Sequence, residues 1–277
     1  MTKGNYINNW DLSYEQLRTS YSEKLTTPSA LSNYVQYKHV LEDIKRYASP
    51  SAKLKVVEVG CGGARTALFL AKNGLEVTCA DFSPEALRLA KENFRAEQAN
   101  GTFVEDDLLD SKLEKEFYDC VMSFGLLEHF EDLDPVISGI TALLKPGGLQ
   151  IHTIVPKKFS TQILADLTWY PFRFAKRLLK GQFSGIFQKS FRDFPHYEST
   201  FQAEHYCNLL RNSGHEILRC EASGTLYPFI SLPFGLGGLL VRVATKPLLR
   251  LFFWMDRRSS AFVHKLSPCF YIVARKL

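Results

Sequence analysis

The sequence lacks several features that would assign it directly to a familiar class of protein. Its six cysteines include no Cys-x-x-Cys pair, so the pattern gives no support to a zinc site. The first residues are polar and lack the apolar core of a signal peptide. We therefore expect a cytoplasmic protein in a reducing compartment, with no metal centre.

An excess of charge of one sign is also nearly absent, with 34 Lys and Arg against 29 Asp and Glu. This modest basic balance disfavours a dedicated nucleic-acid-binding protein. The bases are nevertheless concentrated, because residues 157–200 hold eight bases and three acids, and residues 225–268 hold six bases and one acid. Basic surface is therefore expected on the C-terminal half.

Short apolar runs alternate with helical patterns from about residue 54, which predicts βαβ units and a parallel sheet. The first run, Leu54 to Val59, is rich in β-branched residues and suits a buried strand. A helix is predicted before it, from Pro28 to Tyr47. The later predicted strands are Glu76 to Ala80, Thr102 to Glu105, Tyr118 to Ser123, Leu149 to Val155, His215 to Glu221 and Cys269 to Ala274.

A glycine turn, Glu58-Val59-Gly60-Cys61-Gly62-Gly63, follows the first strand directly. Glycine lets the backbone turn sharply and approach a ligand, and the N–H groups at the start of the next helix favour polar or anionic groups. A dinucleotide-binding turn needs a third glycine, where this chain has Arg65. Asp81 ends the second strand, where an acid can accept both ribose hydroxyls of an adenosine ligand. The acid itself does not distinguish S-adenosylmethionine (SAM) from NAD.

The run from Val56 to Val155 resembles the class I SAM-dependent methyltransferase family. Five segments match in order and spacing: VVEVGCGG, VTCADFSPEAL, FVEDDLLD, FYDCVMSFGLLEHFED and LLKPGG. The resemblance implies an α/β, Rossmann-like fold with a seven-stranded sheet of order 3-2-1-4-5-7-6, the last strand antiparallel. We expect an N-terminal helical cap over residues 1–50 and a methyltransferase domain over 51–277, with lid insertions at about 157–200 and 225–266.

The same resemblance implies SAM as cofactor, S-adenosylhomocysteine (SAH) as product, and a set of residues that bind them. Gly60 and Gly62 would contact the methionine part and Asp81 the ribose. The acid that faces adenine aligns with Asp107, and Asp106 is the competing choice by one residue. The other implied contacts are Glu58, Cys61, Phe82, Leu108 and the backbone at Ser123 and Phe124.

Glu128-His129 follows the fourth predicted strand in the segment LLEHF, and His129 is the candidate catalytic residue. Histidine has an unperturbed pKa near neutrality, which suits a base that takes a proton from the acceptor. Alternatively, the pair shapes a loop or faces SAM. A base is needed only for an acceptor that is protonated at the working pH, such as a hydroxyl.

Residues 226–255 are apolar, but Arg242, Lys246 and Arg250 recur every four residues and Pro247 interrupts, so a membrane-spanning helix is not predicted. The spacing lays the bases on one face, and the apolar residues expected opposite them are Leu239, Val243, Leu248 and Leu251 to Trp254. Three interpretations stay open: a lid over an apolar pocket, a helix packed on the domain, and a helix in a membrane interface.

The basic and aromatic segments favour a small-molecule or lipid-like acceptor. Peripheral contact with an anionic membrane through residues 226–258 is one interpretation, and the oligomeric state is left open. The aromatic residues Trp10, Tyr14 and Tyr21 either close over SAM or pack the first helix onto the core. The chemistry of the acceptor atom, whether O, N or C, is not predicted.

Three other functions compete with this one. A nicotinamide-dependent oxidoreductase is disfavoured by Arg65 and by the LLEHF segment. A non-catalytic binding module is disfavoured by the intact glycine turn, Asp81 and Asp107. Methylation of nucleic acid is disfavoured because the segment after the fourth strand is SFGL, where amino-methylating enzymes of that kind carry N/D-P-P-Y/F.

Overall fold

A computed structural model describes residues 21–49, 53–156, 160–179, 181, 199–232, 235–256 and 265–277. The strands are β1 (Lys55–Val59), β2 (Glu76–Asp81), β3 (Thr102–Glu105), β4 (Tyr118–Phe124), β5 (Leu144–Ile154), β6 (His215–Ser223) and β7 (Cys269–Lys276). The helices are α1 (Pro28–Tyr47), α2 (Arg65–Lys72), α3 (Pro84–Ala96), α4 (Asp134–Leu143), α5 (Gln162–Leu179), α6 (Ala203–Asn212), α7 (Tyr227–Ile230) and α8 (Leu236–Asp256).

The strands form one mixed sheet in the order β3-β2-β1-β4-β5-β7-β6. Strands β1 to β5 pair in parallel, and β7 runs antiparallel to both of its neighbours. The predicted order and the direction of the last strand are confirmed. The strand order reverses between β1 and β4, and ligands of open α/β sheets bind beyond the carboxyl ends of the strands at such a point.

Helices cover both faces of the sheet, which explains why its strands are continuous apolar runs. Helices α1, α2 and α3 pack on one face, where Ile44, Leu68 and Phe94 are buried. Helices α4 and α6 pack on the other face through side chains such as Ile140 and Tyr206. The carboxyl ends of the strands, where a ligand is expected, are therefore supported by a core that is packed on both faces of the sheet.

Two helices begin as the sequence pattern indicates. The Ser83 hydroxyl accepts the Ala86 N–H at 3.1 Å, and Pro84 occupies the first helical position of α3. At α1, the Thr27 hydroxyl accepts the Ala30 N–H at 3.1 Å. A capping side chain and an N-terminal proline both favour a helix start, so these ends are locally encoded.

Strand β5 begins earlier than predicted. The strand was predicted from Leu149, whereas it begins at Leu144 and contains the segment Lys145-Pro146-Gly147-Gly148. The pairing register with β4 shifts between Tyr118 and Cys120, so the four residues form an irregularity inside the strand. Gly147, with φ +75°, supplies the left-handed backbone that this irregularity needs.

A buried ionic network connects α1 with strands β6 and β7. Asp43 accepts hydrogen bonds from the Arg219 guanidinium at 2.6 Å and from the Tyr271 hydroxyl at 2.9 Å. Arg219 also pairs with Glu221 on β6. Because Asp43 is almost fully buried, the ion pair holds the helix in one position on β6 and β7.

Helix α8 kinks at Ala244, where the backbone leaves the helical region three residues before Pro247. Its inner side, including Val241 and Phe252, packs against Leu31 and Val35 of α1. Among the described residues, none of the helices combines the length and the apolar character that crossing a bilayer requires.

The predicted sidedness of α8 is wrong in part. The apolar residues Leu239, Val243, Leu251 and Trp254 are exposed, as are the three bases, rather than buried behind them. A helix that packs along one side leaves the rest of its surface exposed to solvent. On α8 this exposed surface carries apolar residues as well as bases. Trp10, Tyr14 and parts of the segments 157–200 and 225–266 lie outside the described residues.

Candidate functional site

The glycine turn after β1 requires glycine for two different reasons. Gly60 and Gly62 have φ of +62° and +51°, in the left-handed region that glycine adopts without strain. A Cβ on Gly60 would also lie 2.7 Å from Cδ1 of Leu126, which follows β4. The Cys61 N–H donates to the Ala80 carbonyl at 3.1 Å and so extends the pairing with β2. The turn is therefore held against both neighbouring strands.

Glu58 supports the first turn of α2 from the strand before it. The residue before this helix, Ala64, has no side chain that can cap, and the Glu58 carboxylate instead accepts the Ala67 N–H at 2.8 Å. Burial raises the pKa of Glu58 to about 8, against the lowering effects of the Ala67 N–H and Arg65. The side chain is consequently mostly protonated at neutral pH.

Asp81 connects the turn after β1 with the turn after β2. One carboxylate oxygen accepts the Gly62 N–H at 2.9 Å and the other accepts the Ser83 N–H at 3.0 Å. Only 3% of the residue is exposed. A carboxylate offers about four acceptor positions on its two oxygens, so these bonds do not use up its capacity for ligand hydroxyls.

The two acids after β3 have different environments. Asp106 is buried, and its carboxylate accepts the Lys112 N–H at 2.8 Å, which holds the following loop. Asp107 is half-buried and caps the short helix Leu108–Asp110 by accepting the Leu109 N–H at 3.1 Å. The greater exposure of Asp107 favours it over Asp106 as a ligand contact.

The end of β4 is supported by a buried polar chain. The Ser123 hydroxyl is 2.8 Å from Nδ1 of His152, whose Nε2 is 2.9 Å from the Gln150 side chain. The Gln150 amide then lies 2.8 Å from Nε2 of His215. Burial lowers the pKa of His152 to about 3, so its ring is neutral. Because the Ser123 side chain is engaged inside the sheet, only its backbone is placed to meet a ligand.

Glu128 and His129 lie in a short helical turn after β4. Glu128 is buried, and its carboxylate accepts the Val155 N–H at 3.1 Å while its carbonyl accepts the Ser199 N–H at 2.8 Å. Through these bonds Glu128 shapes the loop that follows β4. His129 is half-buried beside it, and its role as a base stays a prediction.

The remaining implied residues have clear positions. Cys61 is buried, and the pKa of its thiol is raised by burial and by the neighbouring thiol of Cys79. The thiol donates to the Gly62 carbonyl in the turn at 3.6 Å. Phe82, Leu108 and Phe124 are half-buried at the ends of β2, β3 and β4. The fold thus brings the whole implied set to the carboxyl ends of four adjacent strands.

One contributor was not predicted. The Asn93 side chain donates to the Gly63 carbonyl at 2.8 Å and accepts the Tyr21 N–H at 3.1 Å. It therefore joins the glycine turn to the segment before α1, where Tyr21 stacks on Tyr37. This packing supports a structural role for Tyr21. No sequence signal distinguishes Asn93 from other polar residues on α3, because its partners are distant along the chain.

Among the described residues, no group of three or more His, Cys, Asp or Glu side chains is arranged to hold a metal ion. The carboxyl ends of the strands offer instead a glycine turn, the start of a helix and four buried acids, Glu58, Asp81, Asp106 and Glu128. This set suits a neutral or cationic ligand with hydroxyl groups better than an anionic one.

Known proteins resemble this chain both in sequence and in fold. Residues 56–148 match the family described as "Methyltransferase domain". The ubiquinone biosynthesis O-methyltransferase of Coxiella burnetii (strain RSA 493 / Nine Mile phase I) is 29% identical over 129 residues, which are 45% of this chain and 55% of that protein. The protein of the same name from Vibrio vulnificus (strain YJ016) is 32% identical over 112 residues, 40% of this chain and 48% of the other. The chain spans about half the length of these curated relatives.

Two solved structures extend the likeness over nearly the whole chain. Magnesium protoporphyrin IX methyltransferase from Synechocystis PCC 6803, with bound SAH, aligns with a TM-score of 0.51 at 15% identity and covers 99% of this chain and 94% of its own. The putative methyltransferase of Haloferax volcanii, in complex with the Trm112 methyltransferase activator, gives 0.57 at 15% identity, covering 98% and 96%. At these identities the likeness shows the fold alone.

The raised pKa of Glu58 predicts a pH-dependent stability. The folded chain holds a proton on Glu58 up to about pH 8, whereas an unfolded chain loses it near 4.5, so the free energy of unfolding falls as pH rises through this window. We expect Glu58→Gln to remove this loss, on the order of a few kcal/mol by pH 9, with little effect near pH 4. Denaturant unfolding of both proteins at several pH values measures the difference.

Asp256 shares this behaviour, because burial raises its pKa to about 7. It is present in both proteins, so its contribution cancels in the comparison. The same pH dependence in the variant as in the parent would contradict the assignment to Glu58.

Proposed function

We propose, from the premise that residues 56–148 form a class I SAM-dependent methyltransferase domain, that the chain transfers a methyl group from SAM to a small-molecule or lipid-like acceptor. The observation that carries the proposal is the position of Asp81. Asp81 ends β2, the neighbour of β1, and its carboxylate holds the glycine turn after β1 by accepting the Gly62 N–H. An acid in this place suits the two hydroxyls of a ribose.

The residues present fit a cationic nucleoside. In this proposal Asp81 accepts the ribose hydroxyls, Asp107 and Leu108 border the adenine, and the backbone from Gly60 to Gly62 meets the methionine part. Glu58 adds a carboxyl group whose ionised form is disfavoured by burial. A nearby positive charge favours the ionised form, so the acid and a sulfonium would stabilise each other.

SAM supplies a methyl group that is already activated on its sulfur. The residues of the chain are then needed to align the acceptor atom with that methyl group and to exclude water. The backbone at Ser123 and Phe124 would hold the amino-acid end of SAM. Side chains of helices next to the carboxyl ends of the strands would complete the exclusion of water from the reacting atoms.

We further propose that His129 takes the proton of a hydroxyl acceptor. Its position after β4 places it at the same sheet edge as Asp81 and the glycine turn. Glu128 fixes the short turn that carries it by bonding to Val155. Loop shaping by His129 is the alternative, and the two roles differ in what a variant would lose.

A lipid-like acceptor, such as a prenylated ring with a hydroxyl group, is the finer part of the proposal. The curated relatives are named for O-methylation in ubiquinone biosynthesis, which points to an acceptor of this chemical kind. The apolar and basic character of residues 226–258 supports it.

Calorimetric titration with SAM, SAH and NAD tests the cofactor assignment. We expect micromolar binding of SAM and SAH and none of NAD. We expect Asp81→Ala to weaken both by at least tenfold, because it removes the ribose contact and releases the Gly62 and Ser83 N–H groups. Glu114→Ala, which removes an exposed acid in the loop before β4, serves as the matched control. Binding of NAD alone, or of none of the three, would contradict the proposal.

Replacing His129 by Asn separates its two roles. As a base, it should contribute roughly 10²–10⁴-fold to methyl transfer, and its loss should leave SAH affinity unchanged. The measurement is transfer of labelled methyl from SAM to a prenylated dihydroxybenzene, with exposed His205→Asn as control. An unchanged rate, or a fall in SAH affinity equal to the fall in rate, would contradict the role as a base.

A further inference from the structure

Exposed large apolar side chains are concentrated on one part of the described chain. Eleven of the fourteen large apolar side chains that stand exposed among the described residues lie on α5, α7, α8 or the link at Leu232. The most exposed are Leu179 at 88%, Val243 at 79% and Leu239 at 59%. Scattered exposed apolar residues need no explanation, but a concentration of this kind marks a binding surface.

The helices that carry these side chains are fixed to one another. The Trp169 indole on α5 donates to the Ser231 carbonyl at the end of α7, at 2.8 Å. Helix α8 packs on α1 through Val241 and Phe252, which leaves its other side exposed. We call the exposed side chains of α5, α7 and α8 together the apolar-basic surface.

Positive charge accompanies the apolar side chains. Arg242, Lys246 and Arg250 are exposed on α8. The acid of this helix, Asp256, is buried and turned to the Gly224 and Thr225 N–H groups at 3.4 Å. The outward side of α8 is thus basic as well as apolar.

We propose that the apolar-basic surface of α5, α7 and α8 lies on an anionic phospholipid bilayer. Apolar side chains such as Leu239, Val243 and Trp254 enter the boundary between headgroups and acyl chains, and the three bases of α8 contact anionic headgroups. Packing of α8 on α1 buries Val241 and Phe252. It does not account for Leu239, Val243 and Trp254, each of which is more than half exposed.

The bilayer surface and the candidate cofactor site share one edge of the sheet. Helix α5 follows the carboxyl end of β5, and α7 follows the end of β6, which pairs with the start of β7 at Ser223 and Cys269. A lipid-like acceptor held in the bilayer would therefore be presented at the edge where methyl transfer is proposed. The membrane contact itself does not depend on that activity.

Co-sedimentation of the full chain with lipid vesicles tests the inference. We expect binding to vesicles of phosphatidylcholine with phosphatidylglycerol, weakened by salt, and little binding to phosphatidylcholine alone. Lys246→Gln with Arg250→Gln should lower the partition coefficient by about 30-fold, since each base near an anionic surface contributes about 1 kcal/mol. The matched control is Lys45→Gln with Lys115→Gln, two exposed lysines towards the opposite edge of the sheet.

Substitution of the apolar residues by serine tests the apolar contribution of the apolar-basic surface to binding. Leu239→Ser with Val243→Ser should also release the chain from anionic vesicles, whereas Leu277→Ser at the exposed C-terminal residue should not. Circular dichroism and SAH affinity, unchanged in each variant, separate loss of the surface from loss of the fold. Equal binding to both vesicle types, binding to neither, or unchanged partition of the α8 variants would overturn the inference. A chain that binds SAH but no vesicle would keep the proposed function and lose this one.

Discussion

Two backbone N–H groups, those of Gly62 and Ser83, point at the buried carboxylate of Asp81. This pair of bonds joins the turn after β1 to the turn after β2, so the position of the glycine turn depends on the end of a different strand. The parallel register of β1 and β2 brings these groups together, and the packing of helices on both faces keeps that register. The geometry of the site is thus a consequence of the sheet.

Burial of acids at the carboxyl ends of the strands costs free energy, because the ionised carboxylates lose their hydration. Glu58 and Asp81 are both almost fully buried, and the Asp81 carboxylate disfavours the ionised form of Glu58. Bonds to backbone N–H groups offset part of the desolvation, and a cationic ligand would offset more. A site with these properties is less stable by itself than with its ligand, which is a common arrangement in binding sites.

The sequence allowed the sheet order, the glycine turn and the helix starts to be predicted, because each depends on short-range patterns such as Ser83-Pro84 or on a run that resembles a known family. Other features depend on partners far apart in the chain. The bridge through Asn93, the polar chain from Ser123 to His215 and the buried pair of Asp43 with Arg219 have no local signature. The outward direction of Val243 was missed because the helical pattern alone does not show which side packs on α1.

A crystal structure of the chain with SAH tests the central claim most directly, because it shows where the nucleoside lies. The account predicts ribose hydroxyls within hydrogen-bond distance of the Asp81 carboxylate, adenine beside Asp107 and Leu108, and the amino-acid end at the backbone of Ser123. Bound SAH at any other place, with the Gly60 turn and Asp81 free of ligand contact, would contradict it.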